Sequence, residues 1–222
     1  MKISLNDIGK KFQRHWIFQN ITIHFESPKS YAILGSNGSG KSTLLRLIAG
    51  IHNPSNGNIS YSFDNQTCPR EQLFPHLAYA APGMEIIEEL TLTEFLDFHF
   101  SFKKTQDGLN TKEIISIIGL NNSAHKPIAD FSSGMKQRVK LAQAIFADTP
   151  LLLLDEPCSN LDEAGVQQYA DWIKTKTKGR LVIVASNDER EYSFCNETIH
   201  LNQFKNLKQS VNIQAQNISH VH

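Results

Sequence analysis

Hydrophobic and polar positions along this chain alternate between three patterns, and the order of the patterns predicts the architecture. Ile21-Thr22-Ile23-His24-Phe25 has a period of two, which predicts a half-buried strand. Ser30 to Leu34, Leu151 to Leu154 and Leu181 to Ala185 are short continuous apolar runs. Runs of that kind are expected of parallel strands covered on both faces. Ser42 to Ala49 carries its apolar residues at helical spacing and stops at Gly50. Ser27-Pro28-Lys29 and Asn53 to Gly57 are turn signals, and Asn58 to Phe63 reads as a short strand. From about Pro82 to Phe146 the pattern turns helical. Thr91 and Glu94 predict a capping box for a helix carrying Phe95, Leu96, Phe98 and Phe102, with Phe95, Phe98 and Phe102 expected in the core. Thr111 is the expected cap of a helix over Lys112 to Ile118, with Gly119 as its stop. Strands alternating with helices predict an α/β fold.

Chemistry enters at Gly35-Ser36-Asn37-Gly38-Ser39-Gly40-Lys41-Ser42, which satisfies G-x-x-x-x-G-K-[ST] at every specified position. It lies between a predicted strand and a predicted helix, where backbone N–H groups and the positive end of the helix dipole converge on an anion. The motif assigns Lys41 to the β- and γ-phosphates of a nucleotide and the Ser42 hydroxyl to Mg²⁺, with Thr43 next along the helix in the cofactor-binding set. Farther along, the buried run Leu151 to Leu154 ends in Asp155-Glu156. Two carboxylates there stand at the sheet edge where α/β proteins bind ligands. Asp155 is expected in the Mg²⁺ shell, and Glu156 is expected to orient or deprotonate an attacking water. On its own, an Asp-Glu pair after a strand would read equally well as a solvated turn.

Composition narrows the choice of partner. The 222 residues are 40% hydrophobic, enough for a core, and Lys+Arg and Asp+Glu are equal at 22 each. That balance gives no basic field for nucleic acid. Cys68, Cys158 and Cys195 have neither metal-ligand spacing nor an even framework, so each thiol is expected to pack as a small side chain in a reducing compartment. His220 and His222 are expected in a solvated tail. No apolar stretch approaches the ~20 residues that span a bilayer, and the expectation is a soluble cytoplasmic protein.

These residues together resemble the nucleotide-binding subunits of ATP-binding cassette (ABC) transporters, from about Ile3 to Leu201. The resemblance implies a P-loop NTPase core with a mixed, mostly parallel sheet and an inserted helical subdomain. It divides the chain into one ATPase domain over 1–204 (core 1–81 and 147–204, helical part 82–146) and a polar tail over 205–222. Phe131-Ser132-Ser133-Gly134-Met135 stands where the family carries its Leu-Ser-Gly-Gly-Gln signature. It would begin a helix facing the ATP of a second subunit, so Ser132 and Gly134 join the nucleotide-binding residues, with Ser132 or Ser133 as the N-cap. Ser159 to Asp162 matches the family's dimer-contacting D-loop. Phe12 matches the aromatic that stacks on adenine, although a strand-edge Phe packing inward fits equally. Implied cofactors are ATP and Mg²⁺. Implied partners are a second ATPase subunit, identical or not, and an integral membrane permease that holds the protein at the cytoplasmic face.

Three positions depart from the family. Pro82 follows the strand over Leu77 to Ala80 where a Gln is usual, and proline offers neither a side-chain amide nor an N–H. Glu85 is near enough to substitute, and reads equally as a solvated carboxylate. Asn187 stands where the family has a His that meets the γ-phosphate, leaving one hydrogen bond without charge. The signature carries Ser133 and Met135 for Gly and Gln. The leading expectation is therefore a transporter ATPase, slower than the family pattern would give, with Glu156 and Asn187 catalytic. A soluble regulatory ATPase and an ATP sensor with little turnover are the alternatives.

Overall fold

The computed structural model describes residues 1–204. The expected polar tail, with His220 and His222, lies outside the described residues. Among them the strands form two sheets rather than one. β1 (Lys2–Phe12), β2 (His15–Glu26), β4 (Asn56–Phe63) and β5 (Gln66–Cys68) make an antiparallel sheet in the order β2-β1-β4-β5. β3 (Ser30–Leu34), β6 (Leu77–Ala80), β7 (Leu151–Asp155), β8 (Leu181–Ala185) and β9 (Glu197–His200) make a parallel sheet in the order β6-β7-β8-β3-β9. β5 and β9 are too short to carry a readable pattern.

The parallel sheet separates two cores, and side-chain alternation along its strands sorts residues between them. Leu151, Leu153, Leu181 and Ile183 face α1 (Lys41–Ile48) and the antiparallel sheet, joining Ile3, Leu5, Phe18 and Leu44. Leu152, Leu154, Val182 and Val184 face the other way. There they meet α2 (Leu92–Phe102), α3 (Thr111–Ile117), α4 (Ser133–Ile145) and α5 (Glu163–Lys176). Both faces are buried, so the strands need apolar residues at every position, which accounts for the unbroken runs. Truncating one of these leucines to Ala would cost about 2–5 kcal/mol.

The helices between β6 and β7 correct two expectations. The α2 capping box forms, with Thr91 Oγ1 accepting from the Glu94 N–H and Glu94 accepting from the Thr91 N–H. The aromatic stripe, however, is not core packing along its length. Phe95 is buried with Leu92 and Leu96, while Phe98 is 50% and Phe102 61% exposed. Leu92, Phe95 and Leu96 centre the buried face on one side of the helix. Phe98 and Phe102 lie off it, edge to face at 5.2 Å. The cap of α3 is Asn110 rather than Thr111. Asn110 Oδ1 accepts from the Glu113 N–H and Glu113 accepts from the Asn110 N–H, so the box begins one residue earlier. Asn ranks above Thr as a cap, which decides between neighbours. Thr111 is the first helical residue and donates its hydroxyl to Asp97.

Candidate functional site

Strand register builds the site. Ala185 at the end of β8 is opposite Ile33 of β3 on one side and Asp155 of β7 on the other. The Ser186 N–H donates to the Ile33 carbonyl at 3.2 Å and the Glu156 N–H to the Ala185 carbonyl at 2.9 Å. Segments from three distant parts of the chain therefore open onto one sheet edge, where α/β proteins collect ligands.

The first is the glycine loop. It closes on itself through a 2.9 Å bond from the Ser39 N–H to the Ser36 carbonyl. The Lys41 ammonium, buried, reaches back to the Gly35 carbonyl at 2.8 Å. Gly40 has φ 102°, and a Cβ there would fall 2.4 Å from the Ile17 side chain, so glycine is required on two counts. Gly40 also caps α1 without a side-chain acceptor, leaving the first N–H groups of the helix for a ligand. The Ser39 hydroxyl is buried with no hydrogen-bond partner. Residues 37–43, Ile17 and Glu156 line a cleft of about 330 Å³. Unfilled donors around a small polar cleft suit the phosphates of a nucleotide.

The second segment is the end of β7 and the turn after it. Asp155 is buried, and its Oδ1 accepts the Ser42 hydroxyl at 3.0 Å. Burial raises its carboxyl above the ordinary carboxylate range, and the Ser42 hydrogen bond opposes that shift. A hydroxyl and a desolvated carboxylate in contact form an oxygen-donor pair of the type that holds Mg²⁺, whose charge would favour the ionised form. Glu156 is exposed and lines the cleft. Its φ of 42° lies in the left-handed region. That conformation costs a residue with a Cβ about 1–2 kcal/mol.

The third segment is the turn after β8. Asn187 Oδ1 accepts from the Gly35 N–H at 3.3 Å, and its Nδ2 donates to Asn37 Oδ1 at 3.1 Å. It thus braces the first residues of the glycine loop. Asn202, beyond β9, accepts from the Ser36 hydroxyl at 3.4 Å. Neither Asn202 nor Ile17 carries a sequence signal that would have placed it here.

Other expected residues lie away from the cleft. Phe12 ends β1, 50% exposed, with the Lys10 ammonium 5.3 Å from its ring centre. The inward-packing alternative is therefore excluded. Ser132, rather than Ser133, caps α4, its Oγ accepting from the Met135 N–H at 3.3 Å. Gly134 lies against the Asn160 carbonyl, 3.0 Å from where a Cβ would stand. Pro82 and Glu85 line a separate cleft with Lys136 and Lys140, and the Lys140 ammonium donates to the Pro82 carbonyl at 2.5 Å. Glu85 is exposed there and does not line the phosphate cleft, so it does not replace the missing Gln.

The ABC transporter family model matches residues 18–159, more than half of the chain. The chain belongs to the ABC transporter family. It is 33% identical over 208 residues to an uncharacterised ABC transporter ATP-binding protein of Bacillus subtilis, YybJ, covering 90% of this chain and 92% of that one. It is 28% identical to the lantibiotic transport ATP-binding protein SrtF of Streptococcus pyogenes, covering 83% of this chain and 80% of SrtF. Among solved structures, the ATP-binding cassette MJ0796, a dimer in a post-hydrolysis state bound to ADP and Pi, superposes with a TM-score of 0.76. That match is at 22% identity and covers 89% of this chain and 93% of that one. The fold is that of the ABC ATPase domain, a nucleotide-binding unit of the P-loop class. Among the described residues, no helix of this ABC family member is long and apolar enough to cross a membrane.

Proposed function

We propose that this chain binds Mg·ATP at the Gly35–Thr43 loop and hydrolyses it to drive an ABC transporter whose translocation path is a separate membrane permease. The observation that carries the reading is the 3.0 Å contact of Ser42 with Asp155, with Glu156 on the wall of the same cleft. In this reading the loop N–H groups, the α1 N-terminus and Lys41 hold the phosphates. Lys41 exchanges the Gly35 carbonyl for them. Ser42 and Asp155 hold Mg²⁺, which supplies charge neutralisation on the phosphate oxygens. Glu156 positions water and accepts its proton, and Asn187 steadies the loop and offers its amide to the γ-phosphate.

Phe12 is proposed to stack on adenine, since its ring is half exposed at the strand end. Ser132 and Gly134, at the start of α4, are proposed to meet nucleotide bound by a second ATPase subunit, because a helix N-terminus suits an anion. The permease is proposed to dock on the layer of helices between β6 and β7. The exposed Phe98 and Phe102, and a cleft of about 450 Å³ that includes Phe74, Tyr79 and Lys103, support that placement. The protein would then work at the cytoplasmic face of the membrane, without nucleic acid. A sensor with little turnover is the second reading, favoured by Pro82, which brings no amide to the site.

Steady-state phosphate release from Mg·ATP tests the proposal. Glu156→Gln should still bind ATP while turnover falls by roughly two to four orders of magnitude, the range of a lost general base. Wild-type release no faster than Glu156→Gln would leave only the sensor reading.

A further inference from the structure

The turn that carries Glu156 is held at a single peptide unit by two buried side chains from elsewhere in the fold. The peptide joins Pro157 to Cys158. Its carbonyl accepts from Gln137 Nε2 at 2.7 Å, and its N–H donates to Glu191 Oε1 at 2.6 Å. Gln137 is 2% and Glu191 4% exposed. Gln137 belongs to α4, one turn from Gly134, and Glu191 to the short helix α6 (Glu189–Tyr192). The second oxygen of Glu191 accepts the hydroxyl of Ser186, the neighbour of Asn187. The Tyr169 hydroxyl donates to the Glu191 carbonyl at 2.8 Å and anchors its backbone.

Glu156 needs such support. It keeps a left-handed φ of 42° on an exposed turn, a conformation that persists only when its surroundings impose it. Its own N–H is tied to Ala185, and the peptide one residue on is gripped at both poles. Within one chain the grip also joins the start of α4, the turn after β7 and the turn after β8.

We propose that Gln137 and Glu191 are positioning residues that orient Glu156 for catalysis by clamping the Pro157–Cys158 peptide. The inference rests on the reading of Glu156 as the group that positions water. Displacement of a catalytic group by about an ångström can lower a rate up to roughly a hundredfold.

The test uses the full chain carrying Gln137→Met, Glu191→Ala or Glu191→Gln. Gln137→Met keeps length and helix propensity and removes only the donor. It and Glu191→Ala should each lower kcat about tenfold with the KM for ATP within about threefold, since the phosphate cleft is untouched. Glu191→Gln keeps an acceptor for the Cys158 N–H and should recover most of the loss. Adding Gln137→Met to Glu156→Gln should lower single-turnover rates no further, because the clamp acts through the carboxylate already removed. Amide hydrogen exchange at Cys158 in nucleotide-free protein should rise at least about tenfold in Glu191→Ala. Unchanged kcat in both Gln137→Met and Glu191→Ala, or unchanged exchange, would overturn the clamp. If Glu156→Gln hydrolysed ATP like the wild type, the functional reading would fail instead, and the exchange measurement would still decide whether the clamp exists.

Discussion

The glycine loop and the turn after β7 stand on opposite sides of one cleft and are built in opposite ways. The loop is shaped chiefly by residues that are neighbours in sequence, with Asn187 and Asn202 meeting it from outside. Ser39 bonds Ser36, Lys41 bonds Gly35, and Gly40 takes a backbone conformation that no other residue would hold there. The turn carries Glu156 in a left-handed conformation without glycine, and beyond the local bond from the Ser159 N–H to the Glu156 carbonyl it is held by Gln137, 20 residues before Pro157, and Glu191, 33 residues after Cys158. A cradle for phosphate can be local because its ligands are backbone N–H groups. A single carboxylate aimed at a water must be positioned by the surrounding fold.

The strongest way to break this comparison is to disable the loop alone. Lys41→Ala removes the cation that the proposed reading sets against the phosphates and should weaken Mg·ATP binding by roughly ten- to a hundredfold, about 1.5–3 kcal/mol. Equilibrium titration checks it, and unchanged affinity would remove the loop from the site. Gly40→Ala tests whether local backbone conformation alone sets the cradle. The φ of 102° and the Ile17 contact should make it cost about 1–3 kcal/mol of stability, with ATP affinity falling in parallel. A denaturation midpoint and titration equal to wild type would show that the loop tolerates a Cβ.

Asn187 bears on the loop side, through Gly35 and Asn37. Asn187→Ala should slow single-turnover hydrolysis several-fold by releasing Gly35 and Asn37. Asn187→His should leave affinity within a few-fold and raise the rate. A tenfold gain would correspond to ~1.4 kcal/mol. Equal rates in all three proteins would reduce Asn187 to a turn residue.

The smallest effect belongs to the helical layer and serves as a control on both sides of the cleft. His99 of α2 donates from Nε2 to the Gln143 carbonyl at 3.1 Å, and burial, aided by Lys103, lowers its pKa from 6.5 to about 4. Protonation is therefore easier in the unfolded chain. The stability His99 contributes is complete above pH 6.5 and is lost as pH falls from there towards 4. Urea unfolding at pH 7.5 and 5 should show this loss, and His99→Gln should reduce it. An identical pH dependence in the variant would mean that other groups carry the effect.

Much of the parallel sheet was legible because strands buried on both faces admit only apolar residues, and the loop was legible because its glycines and Lys41 act within a few positions. The layer between β6 and β7 was less so. Residues 95, 98 and 102 fit one helical stripe, but only the packing of α2 against α3 and α4 decided that Phe95 would be buried and Phe98 and Phe102 exposed. Asn110 displaced Thr111 as a cap by a single position, although Glu113 three residues after Asn110 marks the capping box in the sequence.

By itself, then, the sequence determined the α/β class, the glycine loop and the two carboxylates at the end of β7, since each depends on adjacent residues or on a strand's need to be apolar. The tertiary structure decided which distant side chains meet them. Strand order β7-β8-β3 places Asn187 against Gly35 and the Glu156 turn beside Ala185, while the packing of α4 and α6 delivers Gln137 and Glu191 to one peptide. Those partners are set by register and helix packing. Hydrogen bonds between residues far apart in the chain leave no spacing in the sequence from which they could be read.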